Sequence, residues 1–448
     1  MRVSDGEMER PATAAPLAED QISAAAQPKR RYGIYGLVCA MTAINFLDRA
    51  SLSVAAPAVA ASLGLTAVAQ GYLLSAYSWT YLLCLLPSSI LLDRIGTRRM
   101  ATYSISLWSF ASMLTGFANS YGMLFATRLL LGIGEAPSNP TCSRVVREWA
   151  PVRERGFASA AYNTGGYIGP AIASIVVSTL VTRLGWHLAF VVTGALGFVW
   201  LAVWLWKFQQ PEKAPWLTPD ERAYILANRD TAAPDPAQRG QASILALLRY
   251  PAMWGAAISQ GCGVYSHYFF LTWLPSYMVH GRHMTLLHGG LLSAVPYLCA
   301  TVFGLLIAAL VDRLLTGRAA HAGARRYAVF VLFAIATVLF AAPSTRSTAM
   351  VIVLICIAMT SVATALSMNV ALVNDLLRVG SATGRAYGIL NFGGNIGGIF
   401  APIVTGYVVG ASGNYAMAFV VSGGVLVLGA LSSLLLTRRP IGIAPEAA

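Results

Sequence analysis

The chain has 448 residues, 56% of them hydrophobic and only 11% charged, against a charged share of about 25% in soluble domains. So few charges cannot cover a surface in water, so most of this chain is solvated by lipid; that excludes a soluble enzyme, a nucleic-acid-binding module and a disordered scaffold. The net charge of +13 does not restore a nucleic-acid reading, because with both termini cytoplasmic 26 of the 31 Lys and Arg residues fall in cytoplasmic segments, three outside (Arg183, Arg282, Arg346) and two within the membrane (Arg49, Arg128). That asymmetry is the one the positive-inside rule expects.

Residues 1–31 are rich in Ala and Pro, carry Asp5, Glu7, Glu9, Glu19 and Asp20, and hold no apolar core segment. They read as a disordered cytoplasmic tail rather than a cleavable signal peptide. Beyond them, nine stretches free of Asp, Glu, Lys and Arg each exceed the roughly 17 residues that span a bilayer as a helix. Two are too long for one helix: the 43-residue run from Ala50 and the 52-residue run from Ala386 need internal turns, supplied around Ser62-Leu63-Gly64 and Gly410 to Asn414. With the charge-bearing apolar segments around Asp48 and Glu135, twelve transmembrane helices are expected, near 32–59, 69–92, 100–118, 121–142, 157–181, 186–207, 251–279, 287–311, 327–343, 348–372, 385–409 and 415–436. Continuous apolar runs without period-two alternation exclude a β-barrel, so the fold class is an all-α membrane protein with both termini cytoplasmic.

The longest connection, 208–250, divides the chain into a 32–207 bundle and a 251–437 bundle of six helices each, followed by a tail at 438–448. Within it Thr218-Pro219-Asp220-Glu221 is a capping box with Pro at the first helical position, predicting a surface helix near 219–229 that serves as a spacer on the lipid surface. The halves repeat each other. Leu92-Asp93-Arg94-Ile95-Gly96-Thr97-Arg98-Arg99 after helix two is echoed by Val311-Asp312-Arg313-Leu314-Leu315-Thr316-Gly317-Arg318 after helix eight, and Gly165-Gly166-Tyr167-Ile168-Gly169 in helix five by Gly393-Gly394-Asn395-Ile396-Gly397 in helix eleven. Repeated bundles around a midplane site are a transporter design, since two halves rocking about that site give alternating access.

The loop after helix two resembles the signature of the major facilitator superfamily. Asn45-Phe46-Leu47-Asp48-Arg49 with Leu52-Ser53 and Pro57 in helix one, Arg128 to Pro140 in helix four, Phe270-Leu271-Thr272-Trp273-Leu274-Pro275-Ser276-Tyr277 in helix seven and Asn391-Phe392-Gly393-Gly394-Asn395 in helix eleven resemble its anion:cation symporter branch. The resemblance covers about 32–438 and implies a fold in which helices one and four line a central cavity. It implies bacterial proton symporters of galactonate, hexuronate, other sugar acids or sialic acid, placed in the inner membrane. Leu85, Ser88-Ser89 and Val370 depart from the branch pattern, where Gln, a Gly pair and Trp are common, which bears on the substrate rather than the fold.

Four ionised side chains lie well inside the membrane: Asp48, Arg49, Arg128 and Glu135. At roughly 2.5–3.5 kcal/mol each, leaving them unpaired would cost about 10–14 kcal/mol. Their charges sum to zero, and Arg128 and Glu135, seven residues apart, share one helix face at roughly 10 Å. A mere ion-pair lock would be replaced as well by apolar packing, so the functional reading is preferred. In it Arg49 takes the substrate carboxylate, since a guanidinium offers paired donors to two oxygens; Asp48 and Glu135 carry protons, and Arg128 is the switchable partner of one or both. Tyr77 and Tyr81 in helix two, Asn163 and Thr164 in helix five, Tyr265, His267 and Tyr268 in helix seven, and Asn391 and Asn395 in helix eleven are expected to complete the pocket for sugar hydroxyls. Asp93, Arg94, Arg98 and Arg99, with Asp312, Arg313, Arg155 and Arg385, form the expected inner gate.

The expected function is therefore uptake of a sugar acid such as an aldonate, hexuronate or glucarate by a monomeric proton symporter that needs no cofactor beyond the proton gradient. The alternatives are an aromatic or dicarboxylate anion, or a drug or metabolite exporter; against export, Arg49 and Arg128 make the cavity anion-seeking. No catalytic cluster or metal site is expected: the six cysteines lack ligand-like spacing and read as reduced packing residues, and His280, His283 and His288 as outer-loop polar groups.

Overall fold

The computed structural model describes residues 29–229, 243–315, 323–377 and 382–442. Most of the expected N-terminal tail, the middle of the 208–250 connection, Thr316 to Arg318 of the second Asp-Arg loop and the end of the C-terminal tail lie outside the described residues. Among the described residues all regular structure is helical apart from one parallel bridge between Leu377 and Ile441. The first half contains α1 (Tyr32–Leu63), α2 (Ala67–Ile95), α3 (Thr97–Thr115), α4 (Tyr121–Glu135), α5 (Ser138–Trp149) and α6 (Arg155–Lys207). Two short helices, α7 (Pro219–Asn228) and α8 (Ile244–Leu248), belong to the connection. The second half holds α9 (Pro251–Ser276), α10 (Leu286–Leu314), α11 (Arg325–Ala336), α12 (Thr348–Leu376), α13 (Thr383–Ser412) and α14 (Ala416–Leu436). Among the described residues seven helical runs are each long and apolar enough to cross a bilayer, so the chain is a multi-pass membrane protein.

Local chemistry sets the boundaries. Hydroxyls of Thr66, Ser120, Thr218, Ser243, Thr285 and Ser347 each accept from the backbone N–H three residues on, satisfying a donor that the helix itself leaves open. The two overlong apolar runs turn at Gly64 (φ 63°) and Gly413 (φ 69°), left-handed positions that a side chain would oppose.

Four expected helices differ. The fourth does not run unbroken over 121–142: it stops at Glu135, turns through Ala136 and Pro137 and restarts as α5, because Pro137 has no N–H to continue the ladder. The fifth and sixth form one helical run, α6, interrupted only by the non-helical backbone of Gly185 (φ 80°, ψ 161°). The seventh ends in a π-helical turn over Tyr277–Gly281.

The glycine echo is a packing device. A Cβ at Gly165 would stand 2.6 Å from the Cys39 carbonyl oxygen, and one at Gly169 closer still to that of Ala43, so α6 lies backbone to backbone on α1. At the equivalent place a Cβ at Gly393 would stand 2.6 Å from the Ala257 carbonyl oxygen, and one at Gly397 closer to that of Gly261, so α13 lies on α9 in the same way. Between the halves, a Cβ at Gly71 would stand 2.6 Å from the Pro402 carbonyl oxygen, bringing α2 against α13.

The buried core has a matching asymmetry. One apolar cluster joins both halves through the second part of α1, the start of α2, the middle of α6, the end of α9 and the start of α10. At the opposite end the core divides, one cluster belonging to the first half with α7 and another to the second half with α8. The molecule is thus closed where α1 passes into α2 and parted at the other end.

Two expectations about the segments flanking the first half are corrected. The tail does not extend to residue 31: Arg31 is 2% exposed, with Nε and Nη2 on the Glu154 carboxylate at 2.9 and 2.6 Å and Nη1 on Glu221 Oε1 at 3.1 Å. The helix α7 starts at the predicted capping box but is not a lipid-surface spacer, since it is docked on the first half with Glu221 and Ile225 buried. The hydrogen bond from Arg31 holds the Glu154 carboxyl below the usual carboxylate range, so this anchor is complete at neutral pH and weakens as pH falls through that range.

Valine at Gly169 or at Gly397 is expected to cost about 1–3 kcal/mol through overpacking against backbone. Each variant should therefore melt earlier than the parent in detergent, while Gly122→Ala, where a Cβ meets nothing within 4 Å, should not; parental melting of the two valine variants would remove the packing role.

Candidate functional site

The break between α4 and α5 builds the centre of the site. Glu135 is the last residue of α4, its carbonyl accepting from Ser138 Oγ across the turn and Ser138 Oγ accepting in turn from Asn45 Nδ2 at 3.3 Å. The Glu135 carboxylate faces α1, where Arg49 Nε donates to Oε2 at 2.6 Å. The pair is buried, with side-chain exposures of 4% and 0%. Three aromatic rings surround the guanidinium: Phe46 at 4.7 Å, Tyr81 at 4.8 Å and Tyr77 at 5.2 Å from the ring centroids to Cζ. Such faces stabilise a desolvated cation through their quadrupoles.

Arg49 also reaches the second half. Its Nη1 donates to Tyr268 Oη on α9 at 3.3 Å, and the Tyr268 ring stacks on Tyr77 at 6.4 Å. Farther toward the closed end, Ser53 Oγ donates to the Thr272 carbonyl at 2.8 Å and the Tyr72 and Tyr407 hydroxyls meet at 3.2 Å. Arg49, the candidate carboxylate-binding cation, thus sits on a seam between halves.

Although adjacent in sequence, Asp48 and Arg49 project about 100° apart on α1. Asp48 turns to α3, accepting from Ser112 Oγ at 2.8 Å on Oδ1. Arg128, expected as the switchable partner of one or both acids, donates through Nη2 to Thr115 Oγ1 and lies over the Phe190 ring at 5.4 Å, with Asp48 and Glu135 as its nearest opposite charges. The direct ion pair joins Arg49 and Glu135. Each acid keeps one oxygen, Asp48 Oδ2 and Glu135 Oε1, buried without a hydrogen-bond partner.

The structure brings Tyr77 and Tyr81 to Arg49 as expected in position, and Tyr81 Oη accepts from Asn139 Nδ2 at 3.1 Å. Asn163 is exposed and Thr164 donates to its own helix at Ala160. Tyr265 is buried on α9, and His267 packs edge-on against Tyr167 of α6 at 5.5 Å. The Asn395 amide donates to the Asn391 carbonyl within α13. A polar group in a lipid-embedded helix commonly satisfies itself on its own backbone in this way, which explains why Thr164 and Asn395 do not reach Arg49. Ser112, Thr115 and Asn139 were missed. Of these only Asn139 carried a signal, as a polar residue inside the Arg128 to Pro140 segment; a lone hydroxyl in an apolar helix carries none.

At the parted end the expected gate residues form two networks. Asp93 Oδ1 accepts from Arg144 Nη1 at 2.8 Å, and Glu148 Oε1 accepts from Arg144 Nε at 3.0 Å and from Thr97 Oγ1 at 2.7 Å. In the second half Arg325 pairs with Asp312 at 2.9 Å and Asp375 at 3.2 Å. Arg144, Glu148, Arg325 and Asp375 were not singled out from sequence, although the Arg144, Glu148 spacing of four residues on one helix was readable. Arg98 donates to the Leu205 carbonyl, Arg94, Arg99 and Arg313 are exposed, and Arg155 and Arg385 also have partners.

The model of the Major Facilitator Superfamily matches residues 38–377 and 314–447. The chain is 34% identical over 418 residues to the probable galactarate/D-glucarate transporter GudP of Bacillus subtilis (strain 168), covering 91% of each chain. It is 33% identical over 426 residues to the D-galactonate transporter of Escherichia coli O6:H1, covering 93% of this chain and 97% of that one. A crystal structure of a bacterial homologue of the human lysosomal transporter Spinster, inward-facing and occupied, superposes with a TM-score of 0.70 over 92% of this chain at 17% identity, a likeness of fold alone. With a family model matched across both halves and relatives aligned over nine-tenths of its length, the chain belongs to the Major Facilitator Superfamily, a family of transporters rather than enzymes.

Proposed function

We propose that this chain is a monomeric, proton-coupled importer of a small sugar acid, with twelve spans in two six-helix halves, both termini cytoplasmic and the protein in a bacterial inner membrane. The observation that carries the reading is the state of the two buried acids. Each has one oxygen engaged, by Arg49 or by Ser112, and one buried oxygen with no partner. An ionised carboxylate in that setting leaves a lone pair without a donor, at a cost of about 1–3 kcal/mol or more; a bound proton removes that cost. The named substrates of the relatives, galactarate, glucarate and galactonate, support a sugar acid as the anion.

The cycle follows from the pairing. A proton on Glu135 neutralises the counter-ion of Arg49 and leaves the guanidinium to a substrate carboxylate, which offers the same two-oxygen geometry. A proton on Asp48 removes the charge that faces Arg128. With anion and protons loaded, the substrate carboxylate balances Arg49 and the halves rock; release on the cytoplasmic side restores the Arg49, Glu135 pair. With a monocarboxylate such as galactonate, two protons per cycle carry one net positive charge inward, worth about 2.3 kcal/mol for each 100 mV; with a dicarboxylate such as glucarate or galactarate the same two protons leave the cycle electroneutral. The parted core at the termini end corresponds to the inward-facing state. The proton gradient is the only energy source this scheme needs, with no cofactor.

In proteoliposomes offered D-galactonate, D-glucarate or galactarate, uptake should rise with an inward proton gradient and collapse with a protonophore; flux indifferent to the gradient would overturn the coupling. Replacing Arg49 with Lys keeps the charge and loses the planar fork, so affinity should fall about 10- to 100-fold, and parental affinity would remove Arg49 from the site. Asp48→Asn and Glu135→Gln mimic the protonated acids. Both should retain substrate exchange between equal pools and lose accumulation against a gradient, measured on the same vesicles, whereas intact accumulation in both would defeat the scheme.

A further inference from the structure

The two gate networks share a feature that neither the sequence echo nor the transport cycle explains. In the first half the acid at the end of the fourth span is Glu148, one residue before the end of α5. The backbone there is held from outside the bundle: the Glu148 carbonyl accepts from Arg229 Nη1 at 3.4 Å, and the Trp149 ring stacks on Trp216 at 5.3 Å with planes 6° apart. Both holding residues belong to the segment after the sixth span. Trp216 is itself fixed, its Nε1 donating to the Lys207 carbonyl at 3.0 Å and its ring lying 4.8 Å from the Lys207 ammonium. Arg229 pairs with Glu212 of the same segment.

In the second half the corresponding acid is Asp375, one residue before the end of α12. Here the Leu376 carbonyl accepts from the Ile441 N–H at 2.9 Å, and Leu377 and Ile441 form the parallel bridge. Ile441 is fully buried in the cluster that contains Leu247 and Leu376. It belongs to the segment after the twelfth span. A helix leaves its last four carbonyls without internal partners, so an outside donor at this place fixes the direction of the final turn and of the acid it bears.

The first of these segments has a bolt. Arg31 lies ahead of α1, and its guanidinium joins Glu154, next to the start of α6, with Glu221 of α7; its backbone N–H adds a bond to Glu221 Oε1 at 3.0 Å. Tyr35 Oη donates to the same Glu154 carboxylate at 3.2 Å, and the Tyr224 ring of α7 lies 5.2 Å from the guanidinium.

We propose that residues 208–229 and 437–442 are equivalent clips, each holding the acid-bearing end of its half's fourth span, and that Arg31 is the positioning residue that locks the first clip. The clips act on the inner gate and so rest on the reading of Asp93, Arg144 and Glu148, with Asp312, Arg325 and Asp375, as that gate. They turn the connection between the halves from a tether into part of the gate, and they give the same part to the tail that follows the second half.

The test uses the full chain in lipid nanodiscs, with hydrogen exchange as a readout independent of transport. Trp216→Ala and Glu221→Gln should each speed amide exchange in residues 143–152 by about tenfold or more while leaving 371–377 unchanged. Ile441→Pro, which removes the N–H donor, should do the reverse, and Ile441→Val should behave as the parent. Arg31→Ala leaves two acids without their cation and is read only beside the milder Glu221→Gln. In proteoliposomes supplied with D-galactonate or D-glucarate, the clip variants should lower maximal rate several-fold with KM unchanged. Parental exchange at 143–152 in Trp216→Ala and Glu221→Gln would overturn the first clip, and parental exchange at 371–377 in Ile441→Pro the second. Faster exchange with a parental rate would overturn their part in transport. If Asp93→Asn and Thr97→Val also transport at the parental rate, the failure lies in the gate reading rather than in the clips.

Discussion

The rest of the structure depends on one interaction, the ion pair between Arg49 and Glu135 held out of water where the two halves meet. Removing two charges from water costs several kcal/mol per ion, and only close geometry with further polar contacts repays it. The geometry is supplied from several directions: Glu135 from α4, three rings around the guanidinium, and a hydroxyl from the opposite half. An arrangement so dependent on counter-charge responds strongly when either charge is neutralised or replaced, and that sensitivity is what a coupled transporter needs.

The second acid sits in a different setting on the same helix. Asp48 faces Ser112 and the field of Arg128, away from the seam, whereas Glu135 faces Arg49 on it. The four intramembrane charges are therefore two couples of unlike kind, one direct and one through space, separated by about 100° of helix rotation between neighbouring residues.

Around this centre the scaffold is built for relative motion. Backbone contact through glycines makes each half stiff, with α6 on α1 and α13 on α9, because close packing leaves no side chains to rearrange. The shared core at one end and the divided core at the other leave the halves free to pivot about the seam. Polar networks at the parted end lie within each half, Asp93 with Arg144 and Asp312 with Arg325, so opening that end does not require breaking them.

Much of this was legible in the sequence. Charge-free runs longer than a bilayer is thick marked the long apolar helices, and the cost of ionised groups in lipid singled out Asp48, Arg49, Arg128 and Glu135. These are properties of composition along the chain, set by the solvent, and need no knowledge of neighbours. Which charge pairs with which was decided only by tertiary structure. Arg128 and Glu135 share a face of α4, yet the acid meets Arg49 of α1, while Thr115 and Phe190, outside that helix, receive the arginine. The glycine repeat was visible as a pattern, but its meaning as backbone contact required the facing carbonyls of Cys39 and Ala257. Arg31 read as the end of a tail because its partners, Glu154 and Glu221, lie 123 and 190 residues away. Burial of a single polar residue depends on groups the chain brings together only when folded, whereas immersion of a whole segment in lipid is written in the segment itself.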